Sequence, residues 1–160
     1  MRRRTFLAGP LLFWAWDIAA AGADYPAVRA GKPLVFPRDH GGHPEYRTEW
    51  WYLTGWLRVA DGPDLGMQVT FFRNRPGIGE DNPSRFAPRQ LLFAHAALSD
   101  PGIGRLLHDQ RAARDGFGLA AAAEGDTDVH IEDWFLKRVG EVYEARIAAR
   151  DFDYSLRFRP

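Results

Sequence analysis

The 160-residue chain contains no cysteine, which excludes disulfide bonds, thiol nucleophiles and cysteine-based zinc sites. It also lacks an excess of basic charge: 21 basic and 21 acidic residues give a formal net charge of zero, so we expect no nucleic-acid partner. Serine occurs only at Ser84, Ser99 and Ser155, none of them in a G-x-S-x-G elbow, so serine catalysis is weakly supported. No glycine-rich segment has the pattern of a phosphate-binding loop, and no cofactor is predicted.

Aromatic residues, in contrast, are abundant, at 14% of the chain with six tryptophans. Six segments either alternate apolar and polar residues or are rich in β-branched and aromatic residues, and both patterns predict strands. These segments are residues 46–62, 66–75, 89–100, 128–139, 142–150 and 152–160. A short helix is expected around Leu106 to Arg114, and the alanine-rich residues 118–125 are compatible with helix as well. About six strands with turn signals at short intervals predict an all-β sandwich or barrel.

The first predicted strand carries large side chains on both faces. Thr48, Trp50, Tyr52, Thr54 and Trp56 share one face at period two, whereas Glu49, Trp51, Leu53 and Leu57 share the other. Both faces are therefore expected to be at least partly covered.

Residues 1–23 have the three-part plan of an export signal. A basic start at Arg2 to Arg4 leads into the apolar run Leu11 to Trp16, and the segment closes with small residues up to Ala23. The "RRTFL" at Arg3 to Leu7 is similar to a twin-arginine signal. An uncleaved membrane anchor is the alternative, but the run is shorter than the roughly 20 residues that a membrane span needs. We expect cleavage after Ala23 and a periplasmic or secreted protein.

Three segments resemble the AttH-type family, whose relatives include the carotenoid 1,2-hydratases (hydroxyneurosporene synthases). They are "FPRDHGGHPEYRTEWWYLTGWL" (36–57), "SRFAPRQLLFAHAALSDP" (84–101) and "GRLLHDQRAARDGFGLA" (104–120). The resemblance implies a lipocalin-like, calycin-like antiparallel β-barrel. It also implies that residues 24–160 form an incomplete N-terminal domain of a two-barrel protein, with a second C-terminal barrel as its partner.

A barrel with an aromatic interior would bind a long apolar ligand of the isoprenoid or polyene type. The residues expected to line it are Trp50, Trp51, Tyr52, Trp56, Phe72 and Phe93. The resemblance favours a hydro-lyase that hydrates a C=C bond, as carotenoid 1,2-hydratases do. The alternatives are a non-catalytic carrier of a hydrophobic compound and a secreted hydrolase.

Glu49 and His95 are the candidate catalytic residues. A carboxyl group packed among rings loses hydration, which favours its protonated form and would let Glu49 protonate an alkene while nearby indoles stabilise the cation. The alternative is an ion pair of Glu49 with Arg47 or Arg73 in an ordinary core. His95 either transfers protons in a pocket or is a hydrogen-bonded core residue.

Two further clusters of polar residues have no predicted role in catalysis or binding. His40, His43 and Glu45 have ligand chemistry but no known zinc spacing, so a turn whose side chains cap backbone groups is preferred and no metal is predicted. Glu132 and Asp133 face opposite sides of their strand and are read as surface charge.

Overall fold

A computed structural model describes residues 23–160, in which every regular element apart from one 3-10 turn, Arg38–His40, is a β-strand. The strands are β1 (Thr48–Leu57), β2 (Leu65–Asn74), β3 (Leu91–Asp100), β4 (Arg105–Arg114), β5 (Ala120–Ala122), β6 (Asp128–Ile131), β7 (Trp134–Val139), β8 (Val142–Ala148) and β9 (Asp153–Phe158). The predicted signal segment lies outside the described residues, except for Ala23.

The strands form two antiparallel meanders. Sheet A has the order β1-β2-β3-β4 and sheet B the order β5-β6-β7-β8-β9. The expectation of an all-β antiparallel fold is confirmed. Among the described strands, β1 pairs only with β2 and β9 only with β8, so the two sheets do not close into a barrel.

The helix expected around Leu106 to Arg114 is wrong, because these residues belong to strand β4. Leu91 pairs with Arg114 and Asp100 with Arg105, so the whole segment is aligned with β3. Its alanine, glutamine and arginine residues favour helix, but a ten-residue ladder outweighs a preference of a few tenths of a kcal/mol per residue. Residues 118–125 likewise contain strand β5, and the predicted strand 128–139 divides into β6 and β7 at a turn where Glu132 has φ of 55°.

The core lies between the facing sides of the two sheets. Phe71 of sheet A and Trp134 of sheet B are both fully buried. Polar contacts that join the sheets include a hydrogen bond from the Tyr154 hydroxyl to the Gln68 carbonyl over 2.9 Å and one from Arg111 Nη2 to the Ala148 carbonyl over 3.0 Å. The Arg111 guanidinium also lies over the Trp134 ring with 4.7 Å to its centroid. Polar groups that cross the core therefore fix the sheets in one relative position.

The outer side of β1 is more open than the sequence predicts. Trp50, Tyr52 and Trp56 are 59%, 65% and 75% exposed. These rings face away from the core and so do not line an enclosed interior. Period-two alternation separates the two faces of a strand but does not say which of two aromatic faces turns inward.

Over residues 23–160, no helix has the length and apolar character needed to cross a bilayer.

Candidate functional site

A cleft of about 480 Å³ opens between the free edge of β1 and the end of sheet B near β8 and β9. Rings form much of its wall, and charged groups lie at one end. We call it the edge cleft; its lining comprises Asp39, His40, Gly41, His43, Glu49, Trp50, Trp51, Tyr52, Leu53, Thr127, Leu136, Tyr143, Phe158 and Pro160.

The charged end of the edge cleft is built by a loop that packs against the connection between β5 and β6. Gly41 is buried, and a Cβ atom on it would lie 2.4 Å from the Gly125 backbone nitrogen, so this approach requires glycine. The His40 carbonyl accepts hydrogen bonds from Trp51 Nε1 over 3.0 Å and from the Thr127 hydroxyl over 2.9 Å. The loop is thus tied to both sheets.

Four charged or titratable side chains form a continuous chain of contacts at this end. The Asp39 carboxylate lies 3.3 Å from His43 Nε2, and the Glu49 carboxylate lies 3.1 Å from His43 Nδ1. Glu49 also accepts a hydrogen bond from Arg73 Nε over 2.7 Å. A neutral imidazole has one N–H and can donate to one of these carboxylates, whereas an imidazolium donates to both.

Arg73 anchors this chain from inside the protein. Its side chain is 3% exposed, against 18% for Glu49. The remaining donors of Arg73 reach the Gln90 side chain and the carbonyls of His43 and Tyr46. A buried charge with a full set of partners is compatible with a stable fold, so Glu49 here has the ion-pair partner that the sequence offered as one alternative.

Asp39 is held firmly in its ionised form. The Arg38 side chain donates to it over 2.6 Å, the Val35 backbone N–H over 2.7 Å, and the pKa of the carboxyl is well below its usual range as a result. The Asp39 side chain is only 3% exposed. It presents a fixed negative charge to the ring of His43.

The two predicted catalytic residues do not meet. Glu49 points inward and lines the edge cleft, whereas His95 lies on the opposite, outer side of sheet A. The His95 ring is exposed and packs edge-on against Phe72 at 5.7 Å between centroids. The structure thus offers no direct proton transfer between Glu49 and His95.

The predicted ligand-binding rings also divide between two places. Trp50, Trp51 and Tyr52 line the edge cleft. Phe72 and Phe93 lie on the outer side of sheet A with 6.0 Å between centroids, and Trp56 borders a separate groove there.

Several residues of the edge cleft were not found from the sequence. Tyr143 and Phe158 stack at 5.4 Å, and the Tyr143 hydroxyl lies 3.4 Å from His40 Nδ1. They follow His40 by more than 100 residues, and alternation carries no information on such distant pairings. Within residues 23–160, no group of three acidic or histidine side chains is arranged to hold a metal ion.

The fold and the cleft define an all-β protein with two antiparallel sheets and a ring-lined recess at their open edge. The sequence model of the AttH-like family matches residues 27–160. The chain therefore belongs to the AttH-like family, as its motifs predict. The hydratase relationship within that family is a further hypothesis.

A solved relative gives the same fold. The crystal structure of a Nitrosomonas europaea protein assigned to AttH shares 50% sequence identity with this chain and superposes with a TM-score of 0.69. The match covers 81% of this chain but only 38% of the other, so the chain spans well under half the length of that relative. No curated protein matches the sequence.

Proposed function

We propose that the chain binds an elongated apolar molecule of the isoprenoid or polyene type in the edge cleft. The observation that carries this proposal is a recess of about 480 Å³ with rings on its walls, a size within the range of small-molecule sites. The stacked pair Tyr143 and Phe158 forms one wall, and Trp51 with Leu53 forms part of the other. A rod-like apolar ligand would replace water along these surfaces.

Binding is tested by adding an acyclic carotenoid in detergent micelles and following energy transfer from tryptophan. Replacing Phe158 by serine should weaken binding about tenfold, since losing a half-buried ring that the ligand would cover costs about 1.4 kcal/mol or more. Replacing Trp56 by serine is the matched control, because this exposed ring lies outside the edge cleft. Equal losses in the two variants would place the ligand elsewhere and refute the cleft assignment.

Hydration of a C=C bond is the second candidate, and the histidine in the charged end supports it. In this reaction the imidazolium of His43 gives up its contact with Asp39, which at 3.3 Å is the longer of its two carboxylate contacts. The Nε2 proton then moves to one alkene carbon, leaving a tertiary carbocation at the other. Water adds to that carbon and returns a proton to the imidazole, so one water is gained overall. Glu49, which accepts hydrogen bonds from both Arg73 and His43, holds the imidazolium in place and is not itself the acid.

This reaction is tested by mass spectrometry of carotenoid incubated with the protein. Replacing His43 by glutamine should abolish the hydrated product while carotenoid binding survives. If the unchanged chain binds carotenoid but forms no hydrated product, the hydratase proposal is wrong and the non-catalytic carrier is the remaining alternative. A secreted hydrolase is the third alternative, but no catalytic serine motif supports it.

Export by the twin-arginine route is part of the same proposal and rests on the sequence of residues 1–23 alone. Replacing Arg3 and Arg4 by lysine should retain the protein in the cytoplasm, with cell fractionation as the measurement. If the variant with lysine at both positions is still found in the periplasm, export by this route is refuted. In a longer protein, a second barrel would follow as a further partner.

A further inference from the structure

The outer face of sheet A is almost free of charge. Its four strands contribute five outward-facing positions each, twenty in all. These are Thr48, Trp50, Tyr52, Thr54, Trp56, Gly66, Gln68, Thr70, Phe72, Asn74, Leu91, Phe93, His95, Ala97, Ser99, Leu106, His108, Gln110, Ala112 and Arg114. Arg114, at a corner, is the only Asp, Glu, Lys or Arg among them, although such residues make up 26% of the chain.

Sheet B supplies an internal comparison. Its outer face carries the cross-strand row Asp128, Lys137, Glu144 and Arg157, with Lys137 and Arg157 at 3.6 and 3.8 Å from the Glu144 carboxylate. This is the usual composition of a sheet face in contact with water. The same chain therefore builds one solvated outer face and one that has the composition of an interface core, poor in charge and rich in aromatic rings.

We propose that the outer face of sheet A is the interface with a second copy of this chain. The face measures about 19 Å by 34 Å from ordinary strand spacings, or roughly 650 Å² in projection. Stable pairs bury roughly 600–1,000 Å² on each partner, so a face of this size is sufficient at the lower end of that range. In a solution that contains only this chain, the available partner for this face is a second copy of the chain.

The shape of the face suits packing against itself. The row of large side chains Trp50, Phe72 and Phe93 forms a ridge near one end of the strands. Near the other end, small residues form the floor of a groove of about 520 Å³ between Trp56 and Leu106; they include Gly66, Ala97 and Ser99.

A two-fold axis along the row midway between ridge and groove brings the two features together. That row consists of Tyr52, Thr70, His95 and Gln110. Rotation by 180° about this axis places the ridge of each copy over the groove end of the other copy. A two-fold interface must be self-complementary, and a face with no opposed like charges meets that condition.

The experiment is sedimentation equilibrium or light scattering of the full chain from about 1 to about 100 µM, the range of an ordinary micromolar pair. We expect a particle of twice the 18.1 kDa chain mass. Replacing Phe93 by lysine should weaken the pair about 100-fold or more, because the new charge would be buried without a partner. Replacing Phe135 by lysine is the matched control, since this half-buried ring lies on the outer face of sheet B.

Circular dichroism of each variant checks that the fold survives, and iodide quenching reports whether Trp50 and Trp56 are protected in the pair. A chain that stays monomeric over the whole range overturns the proposal. So does a dimer that Phe93→Lys leaves intact, or one that Phe135→Lys disrupts equally. The proposal is also wrong if Trp50 and Trp56 are protected from iodide only when carotenoid is added, or only in a longer protein.

Discussion

Arg73 on β2 donates its Nε–H to the Glu49 carboxylate on β1 over 2.7 Å from a side chain that is 3% exposed. The two strands are paired with Glu49 directly opposite Arg73, so the contact lies within the ladder of sheet A. Since the same guanidinium also holds the His43 carbonyl, one buried charge positions both the carboxylate and the loop at the end of the edge cleft.

Removing this charge should be strongly destabilising. Replacing Arg73 by methionine removes the positive charge that faces the Glu49 carboxylate, which keeps only its donors from His43, and removes the guanidinium donor of the His43 and Tyr46 carbonyls. We expect a cost of about 3 kcal/mol in unfolding free energy. Urea denaturation monitored by circular dichroism measures it. Arg47→Met, which changes an exposed arginine near the same strand, should stay within about 0.5 kcal/mol. Equal losses would show that Arg73 does not have this role.

The sequence predicts the sheet well and the site only in part. The β1–β2 hairpin and the strands of sheet B follow from alternation, and Arg73 was already a candidate partner of Glu49. The predicted helix around Leu106 to Arg114 is wrong because pairing with β3 holds that segment as a strand. Both faces of β1 were expected to be at least partly covered because both carry rings, and only the position of the opposing sheet shows that Trp51 faces the core whereas Trp50, Tyr52 and Trp56 face outward.

The loop at the charged end of the edge cleft should tolerate no side chain at Gly41. An alanine Cβ there would meet the backbone nitrogens of Gly125 and Asp126 at 2.4 and 2.7 Å, so one segment must move. We expect Gly41→Ala to lower the unfolding free energy by about 1–3 kcal/mol. At Gly55, where the nearest atom would be the Met67 methyl at 3.8 Å, the same substitution should cost less. A thermal melt of both variants distinguishes them, and a neutral Gly41→Ala would contradict the close approach.

The hydroxyl of Tyr154 should contribute to joining the two sheets. It donates to the Gln68 carbonyl of sheet A, so Tyr154→Phe should lower the unfolding free energy at pH 7 by about 1 kcal/mol. Burial raises the pKa of this phenol above its usual value. A raised pKa means that its contribution is complete below the unfolded value of about 10 and is lost as pH rises further.

The stability difference between Tyr154→Phe and the unchanged chain should therefore shrink in alkali. Denaturation in urea at pH 7 and above about pH 10 measures it. Tyr52→Phe is the control, since this ring is 65% exposed and should show little difference at either pH. A difference that stays constant through the alkaline range would show that Tyr154 is not desolvated.

Low pH should destabilise the loop that contains Asp39, because the carboxylate of Asp39 becomes protonated. The hydrogen bond from Arg38, followed by that from the Val35 backbone, lowers the pKa of Asp39. A lowered pKa means that the stabilisation is complete above the unfolded value of about 3.9 and is lost as pH falls towards the folded value. Asp39→Asn should thus reduce the melting temperature at pH 7, and the gap to the unchanged chain should narrow below about pH 4.

Other carboxylates with lowered pKa values, those of Glu80, Asp109 and Asp133, will also drive acid unfolding. They act in both proteins, so the difference between the two melting curves isolates Asp39. Replacing the exposed Asp151 by asparagine is the control and should leave the melting temperature unchanged at either pH. If the gap for Asp39→Asn is the same at pH 7 and in acid, the charge of Asp39 is not what stabilises the loop, and the fixed negative charge assigned to the edge cleft is wrong.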